Sequence, residues 1–72
     1  NSMMANNQSV ERTMNAINVY FRINRRSPSI RDVAILSGLG KSWTHECVMR
    51  LWSAKRIKYK PSENRSIEPI NK

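Results

Sequence analysis

The sequence predicts a mainly α domain closed by a small β-hairpin, an α+β arrangement in which a three-helix bundle precedes two short strands. Three observations predict it. Apolar residues recur at helical spacing as far as about residue 54. Pro and Gly interrupt that stretch twice, at Ser27-Pro28-Ser29 and at Gly38. Beyond residue 55 the apolar period changes from helical to alternating.

The first helix is predicted over residues 9–24. Val10, Met14, Ile17 and Phe21 fall four, three and four residues apart and share one face. Ser9 is the expected cap, and Asn24-Arg25-Arg26 places cations where the helix dipole is negative. Residues 1–8 read as a disordered arm or a remnant of cloning, with Met3 or Met4 as the native start. The domain proper is therefore expected over residues 9–70.

Pro28 pushes Ser27 towards extended backbone. Ser29 and Asp32 stand three apart as a capping box with Asp in place of Glu, which opens a short helix from Ile30 to Ser37. Ile30, Val33, Ala34 and Ser37 form its buried face, Gly38 supplies a left-handed stop, and Leu39 is expected as a buried plug. Gly40 or Lys41 opens the third helix, which runs to about Ala54. Thr44, Val48 and Leu51 are its inner face, with Cys47 and Trp52 at the edges. Ser42, Trp43, Glu46, Met49 and Arg50 are expected on the outer face. Ile57 and Tyr59 then alternate with Arg56, Lys58 and Lys60 as a strand. Pro61-Ser62-Glu63-Asn64 is a turn, and Ser66-Ile67-Glu68 is a second strand that Pro69 confines to an edge.

Composition narrows the function. The 72 residues carry 13 Lys+Arg against 5 Asp+Glu, a formal net charge of +8. Nucleic acid is the usual partner of a small domain so basic. A hydrophobic content of 39% is too high for a disordered tail. A single cysteine excludes a disulfide scaffold. No run approaches the roughly 18 apolar residues of a membrane span, and the polar first ten residues do not form a signal peptide. A reduced, cytoplasmic setting follows as the expectation. The acidic residues are scattered and no Gly-rich loop follows a strand, so no enzyme activity and no cofactor are expected. His45 and Cys47 fall short of the three or four ligands of a metal site.

A short helix, a glycine turn and a following helix make a helix-turn-helix, and an appended hairpin makes it winged. The run Ser27-Pro28-Ser29-Ile30-Arg31-Asp32-Val33-Ala34 with Ser37-Gly38-Leu39 is similar to the helix-turn-helix of the LexA repressor family. Ile57, Pro61 and Arg65-Ser66-Ile67-Glu68 resemble the wing of that family. The resemblance spans residues 10–70 and is to the DNA-binding half alone, without the self-cleaving domain. Three departures stand out. The stretch from Gly38 to Val48 is one residue shorter than in the family, which leaves the recognition register open by one position. Lys55 or Arg56 replaces the glycine that ends the third helix there. Trp43 is bulky for a groove-facing position.

The resemblance implies a sequence-specific regulator of transcription, a repressor that occludes its operator. It places the third helix, about 41–54, in the major groove and the wing, about 56–69, on the flanking backbone. Lys41, Ser42, Trp43, His45 and Glu46 would be recognition residues, with Arg50 one turn further on. Ser42 is small enough for close approach, Trp43 can pack on a thymine methyl, and Glu46 can accept from a cytosine amino group. Ser29 and Arg31 would meet a phosphate at the start of the second helix, and Lys58, Lys60 and Arg65 would hold the backbone from the wing. Double-stranded DNA is thus the expected partner, with the chain a monomer or a weak dimer that pairs on DNA. Two alternatives stay open. One is a protein-binding module of a phage or plasmid, gripping a host factor through Trp43, Met49 and Trp52. The other is a sequence-tolerant architectural DNA binder.

Overall fold

The computed structural model describes residues 6–70. It contains three helices, α1 (Asn7–Asn24), α2 (Ile30–Ser37) and α3 (Lys41–Ser53), followed by two strands, β1 (Ile57–Lys58) and β2 (Glu68–Pro69). Most of the expected N-terminal arm lies outside the described residues, but Asn7 and Gln8 belong to α1.

Helix α1 starts two residues before the expected position. Asn6, not Ser9, is its cap, and its side-chain oxygen accepts from the Ser9 N–H at 2.8 Å. This cap leaves Ser9 free to face inward, where it is buried together with Thr13, Met14, Ala16 and Ile17. The buried Thr13 hydroxyl is satisfied one turn back by the Ser9 carbonyl at 2.9 Å. Val10 and Phe21 are only half-buried, so the inner stripe is rotated from the one that spacing suggested. Arg25 ends α1 in the left-handed conformation, φ 58°, with its N–H on the Phe21 carbonyl at 2.9 Å.

Helix α2 forms as its sequence dictates. Ser29 and Asp32 cap each other reciprocally, each backbone N–H donating to the other's side chain at 3.1 Å. Gly38 takes the left-handed stop at φ 75°. A Cβ there would lie 3.0 Å from the Arg12 guanidinium, the far end of an exposed side chain that can give way, so it is the backbone conformation that favours glycine. Leu39 is half-buried rather than a full plug. The Ser37 hydroxyl helps close this turn, donating to the Ala34 carbonyl and accepting from the Leu39 N–H, both at 3.3 Å.

Helix α3 buries Thr44, Cys47, Val48 and Leu51. Cys47 belongs to the interior and not to a flank, with no accessible surface. Trp43 and Met49, expected on the outer face, are half-buried, and Met49 packs against the core. Lys55 ends this segment in the left-handed conformation at φ 62°. Arg56 N–H then reaches back to the Leu51 carbonyl at 3.0 Å, so a lysine occupies the place where a Schellman stop favours glycine.

Both strands are shorter than their alternation suggested, and the second is shifted towards the C-terminus. They pair antiparallel with Ile57 opposite Pro69 and Lys58 opposite Glu68. Pro69 lacks an N–H, and the Ile70 N–H supplies a bond to the Arg56 carbonyl at 3.0 Å. Further along, the Ser66 side chain takes over from the ladder. Its hydroxyl accepts from the Lys60 N–H at 2.9 Å and lies 2.8 Å from the Lys60 carbonyl. Ile57, Tyr59 and Ile67 point inward regardless and join Met14, Ile17, Val33, Val48 and Leu51 in one core.

Two side-chain anchors fix how the β segment lies on the helices. Arg56 makes a bidentate pair with Glu11 near the start of α1. Arg65 bonds Tyr20 near its end. The segment 56–65 therefore runs alongside α1, and its turn reaches the end of the molecule where α1 stops and α2 begins.

Candidate functional site

At that end an open cleft of 780 Å³ lies between three pieces of chain. Ser29, Ile30 and Arg31 come from the start of α2. Lys41, Ser42, His45 and Glu46 come from the first turns of α3. Tyr59, Pro61, Glu63, Asn64 and Arg65 form the facing wall. Two helix N-termini thus converge on one opening. At α2 the Ser29–Asp32 box takes the N–H groups of Ser29 and Asp32, and those of Ile30 and Arg31 stay open. Helix α3 differs: its cap is Gly40, which offers no side-chain acceptor. Its first backbone bond runs from the Thr44 N–H to the Gly40 carbonyl at 2.8 Å. The N–H groups of Lys41, Ser42 and Trp43 precede that bond and are left for water or an anion.

Most of the residues singled out from the sequence meet here. Ser29, Arg31, Lys41, Ser42, His45, Glu46 and Arg65 all line the cleft, although they come from three separate stretches of chain. Ser42, His45 and Glu46 are exposed on the open side of α3. The others fall elsewhere. Trp43 is half-buried and its indole N–H is covered without a hydrogen-bond partner among the described residues, so it is not an open groove contact. Arg50 is exposed but lines a different groove with Asn7, Val10, Glu11 and Met49, towards the opposite end of α3. Lys58 and Lys60 are exposed outside the cleft, with Lys60 4.0 Å from Glu63.

Arg65 has a different place from the one its sequence position suggested. It is no unattached wing cation. Its Nη1 donates to the Asp32 carboxylate at 2.7 Å, the Tyr20 hydroxyl at 3.0 Å and the Ser27 carbonyl at 3.4 Å. It ties the turn to α1, to the α1–α2 connection and to the capping box of α2, while 42% of its side chain stays exposed to the cleft side. The Tyr20 hydroxyl, and after it Asp32, raises the guanidinium pKa further. Burial alone would raise the Asp32 carboxyl, but hydrogen bonds from Ser29 and Arg65 outweigh it and hold the group below its ordinary value. Burial pushes the Cys47 thiol up, away from reactivity.

The sequence reading missed Tyr20, Ser27 and Asp32 as partners of Arg65. They lie 45, 38 and 33 residues away in the chain, beyond the reach of local pattern. It also missed Glu63 and Asn64, whose turn composition announced a bend but not the wall it builds.

The cleft offers cations at Arg31 and Lys41, unsatisfied N–H donors at the start of α3, a hydroxyl at Ser42 and acceptors at Glu46 and Glu63. Those groups have the chemistry to meet an anion and to hydrogen-bond to donor and acceptor edges. Among the described residues no three His, Cys, Asp or Glu side chains stand together as metal ligands would. Nor is any described helix long and apolar enough to cross a membrane. No protein-family model matches the chain, and comparison with curated proteins and with solved structures finds no match.

Proposed function

We propose that the protein is a winged helix-turn-helix module that binds double-stranded DNA and regulates transcription, resembling the DNA-binding half of the LexA repressor family. The observation that carries this reading is the convergence of Ser29, Arg31, Lys41, Ser42, His45 and Glu46 on one open cleft, in a chain of net charge +8. Helix α3, with its 13 residues, is about 20 Å long and exposes Ser42, His45, Glu46 and Arg50 along its length. A helix of that kind fits a major groove about 12 Å wide. Its uncapped first turn, with Lys41, takes a phosphate, and Arg31 takes another from α2. Glu46 accepts from base amino groups and contributes sequence preference rather than affinity. The turn carrying Arg65 is the wing.

A second reading has its own support. Val19, Ile23, Ile35 and Leu36 are exposed on the outer faces of α1 and α2, with Ile23 at 71% and Ile35 at 69%. An apolar patch of this sort favours a protein partner.

Electrophoretic mobility shifts with duplexes selected from a random pool, run with and without non-specific competitor, separate the readings. Binding that survives competitor, with Glu46→Ala altering the preferred sequence and Lys41→Ala lowering the salt slope by about 1, is the expected result. Binding lost to competitor would make the protein a sequence-tolerant architectural binder. No binding at low salt would leave the apolar patch and a protein partner.

A further inference from the structure

We infer that Arg22, Arg25 and Arg26, at the end of α1, form a second phosphate-contact site that extends the cleft's hold along the DNA backbone. The inference rests on the DNA-binding reading above and adds residues that lie outside the cleft. All three arginines are exposed, and among the described residues none of them forms an ion pair, unlike Arg56, Lys60 and Arg65. Arg25 is the telling one. It sits at φ 58°, where an L side chain is strained and glycine is not. Gly38 fills the matching position of α2, whereas α1 and α3 keep cations there, Arg25 and Lys55, and only Arg25 stands beside two further exposed arginines. One cation suffices to complement a helix C-terminus. Three in five residues exceed that need.

The cluster is also continuous with the cleft. Ser27, the residue after Arg26, holds the Arg65 guanidinium through its carbonyl at 3.4 Å, and Arg65 lines the cleft wall. On the other side, Arg22 and Arg25 flank a shallow groove with Asn18, Phe21 and Pro69. Through Ser27 the cluster adjoins Arg65, which lines the cleft together with Arg31 and Lys41. Exposed cations spread over several positions suit a phosphate backbone better than a compact anion.

The test measures the affinity of the full chain for a random-sequence 24-base-pair duplex as a function of salt, with wild type, Arg22→Ala/Arg26→Ala and Arg25→Gly. Each arginine lost from a phosphate contact lowers the slope of log K against log salt by about 1. The double variant is expected to lose about 2 and Arg25→Gly about 1. Arg25→Gly is also expected to melt several degrees higher than wild type, because it relieves the strained cap, so its weaker binding cannot be a folding defect. Unchanged slopes in both variants, with wild type still binding, would overturn the second site and leave the cleft reading intact. Failure of wild type to bind any duplex at low salt would overturn both. Unchanged duplex binding with lost binding to phosphatidylserine vesicles would overturn the assignment in favour of a lipid surface.

Discussion

Asp32 joins the start of α2 to the wall of the cleft, and its replacement tests that junction. Asp32→Asn imitates the protonated side chain with nearly the same shape. The native carboxylate accepts from the Ser29 N–H at 3.1 Å and from Arg65 at 2.7 Å, with 24% of the side chain exposed. A negative charge at a helix start contributes about 0.3–1 kcal/mol. Its charge-assisted bond to the Ser29 N–H adds to that, while the contact with half-exposed Arg65 is discounted for solvent screening. The sum for Asp32 is about 1 kcal/mol. In a domain of this size that lowers the melting temperature by about 4–8 °C. The sign of the pH dependence is fixed by the folded carboxyl lying below its ordinary 3.8. The stabilisation is complete above that ordinary value and drains away as pH falls through the folded one. Thermal melts of both proteins from pH 7 to pH 2.5 should show a gap that closes only in acid. A gap that stays constant over the whole range, or is absent at pH 7, would refute the reasoning, since the other carboxylates cancel between the two proteins.

Three further outcomes are expected. Thr44 is fully buried and its hydroxyl has no hydrogen-bond partner among the described residues. Thr44→Val, of the same shape, should therefore stabilise by about 1 kcal/mol in urea unfolding. Lys55→Gly removes a side chain from a left-handed position at φ 62° and should gain about 0.5–1 kcal/mol in the same assay. Trp52 meets Tyr59 edge to face at 5.4 Å and 87°. Trp52→Ala should lose about 1 kcal/mol from that contact and lower the urea midpoint with little change in slope.

What was legible in the sequence was local. The Ser29–Asp32 box and the Gly38 stop involve residues three or four apart, and both formed as their chemistry requires. The order of three helices and two strands followed from the change of apolar period. Where two local solutions competed, the interior decided. Asn6 and Ser9 are both good caps, and the earlier one prevailed because it lets Ser9 turn inward. Trp43 and Met49 occupy outer positions on a helical wheel, yet neighbouring segments cover them in part. The strands illustrate the same limit. Alternation marked Ile57, Tyr59 and Ile67 as inward-facing, which is right. It could not show that the Ser66 hydroxyl and the Ile70 N–H, rather than a longer ladder, hold the two segments together. For the cleft, pattern and resemblance named most of the lining residues. The role of Arg65 depended on partners from distant turns, which no spacing rule encodes.

The complete enclosure of Cys47 has a practical consequence. Alkylating reagents reach its sulfur only when the surrounding helices part, so the modification rate is a clock for that opening. Where reclosing outpaces labelling, the rate reports the opening equilibrium directly. Mass spectrometry then follows a single shift per molecule, with no introduced dye and no engineered residue. A ligand that clamps the helices together slows the clock in proportion to its occupancy. The molecule thus carries its own built-in sensor for whatever settles on its surface.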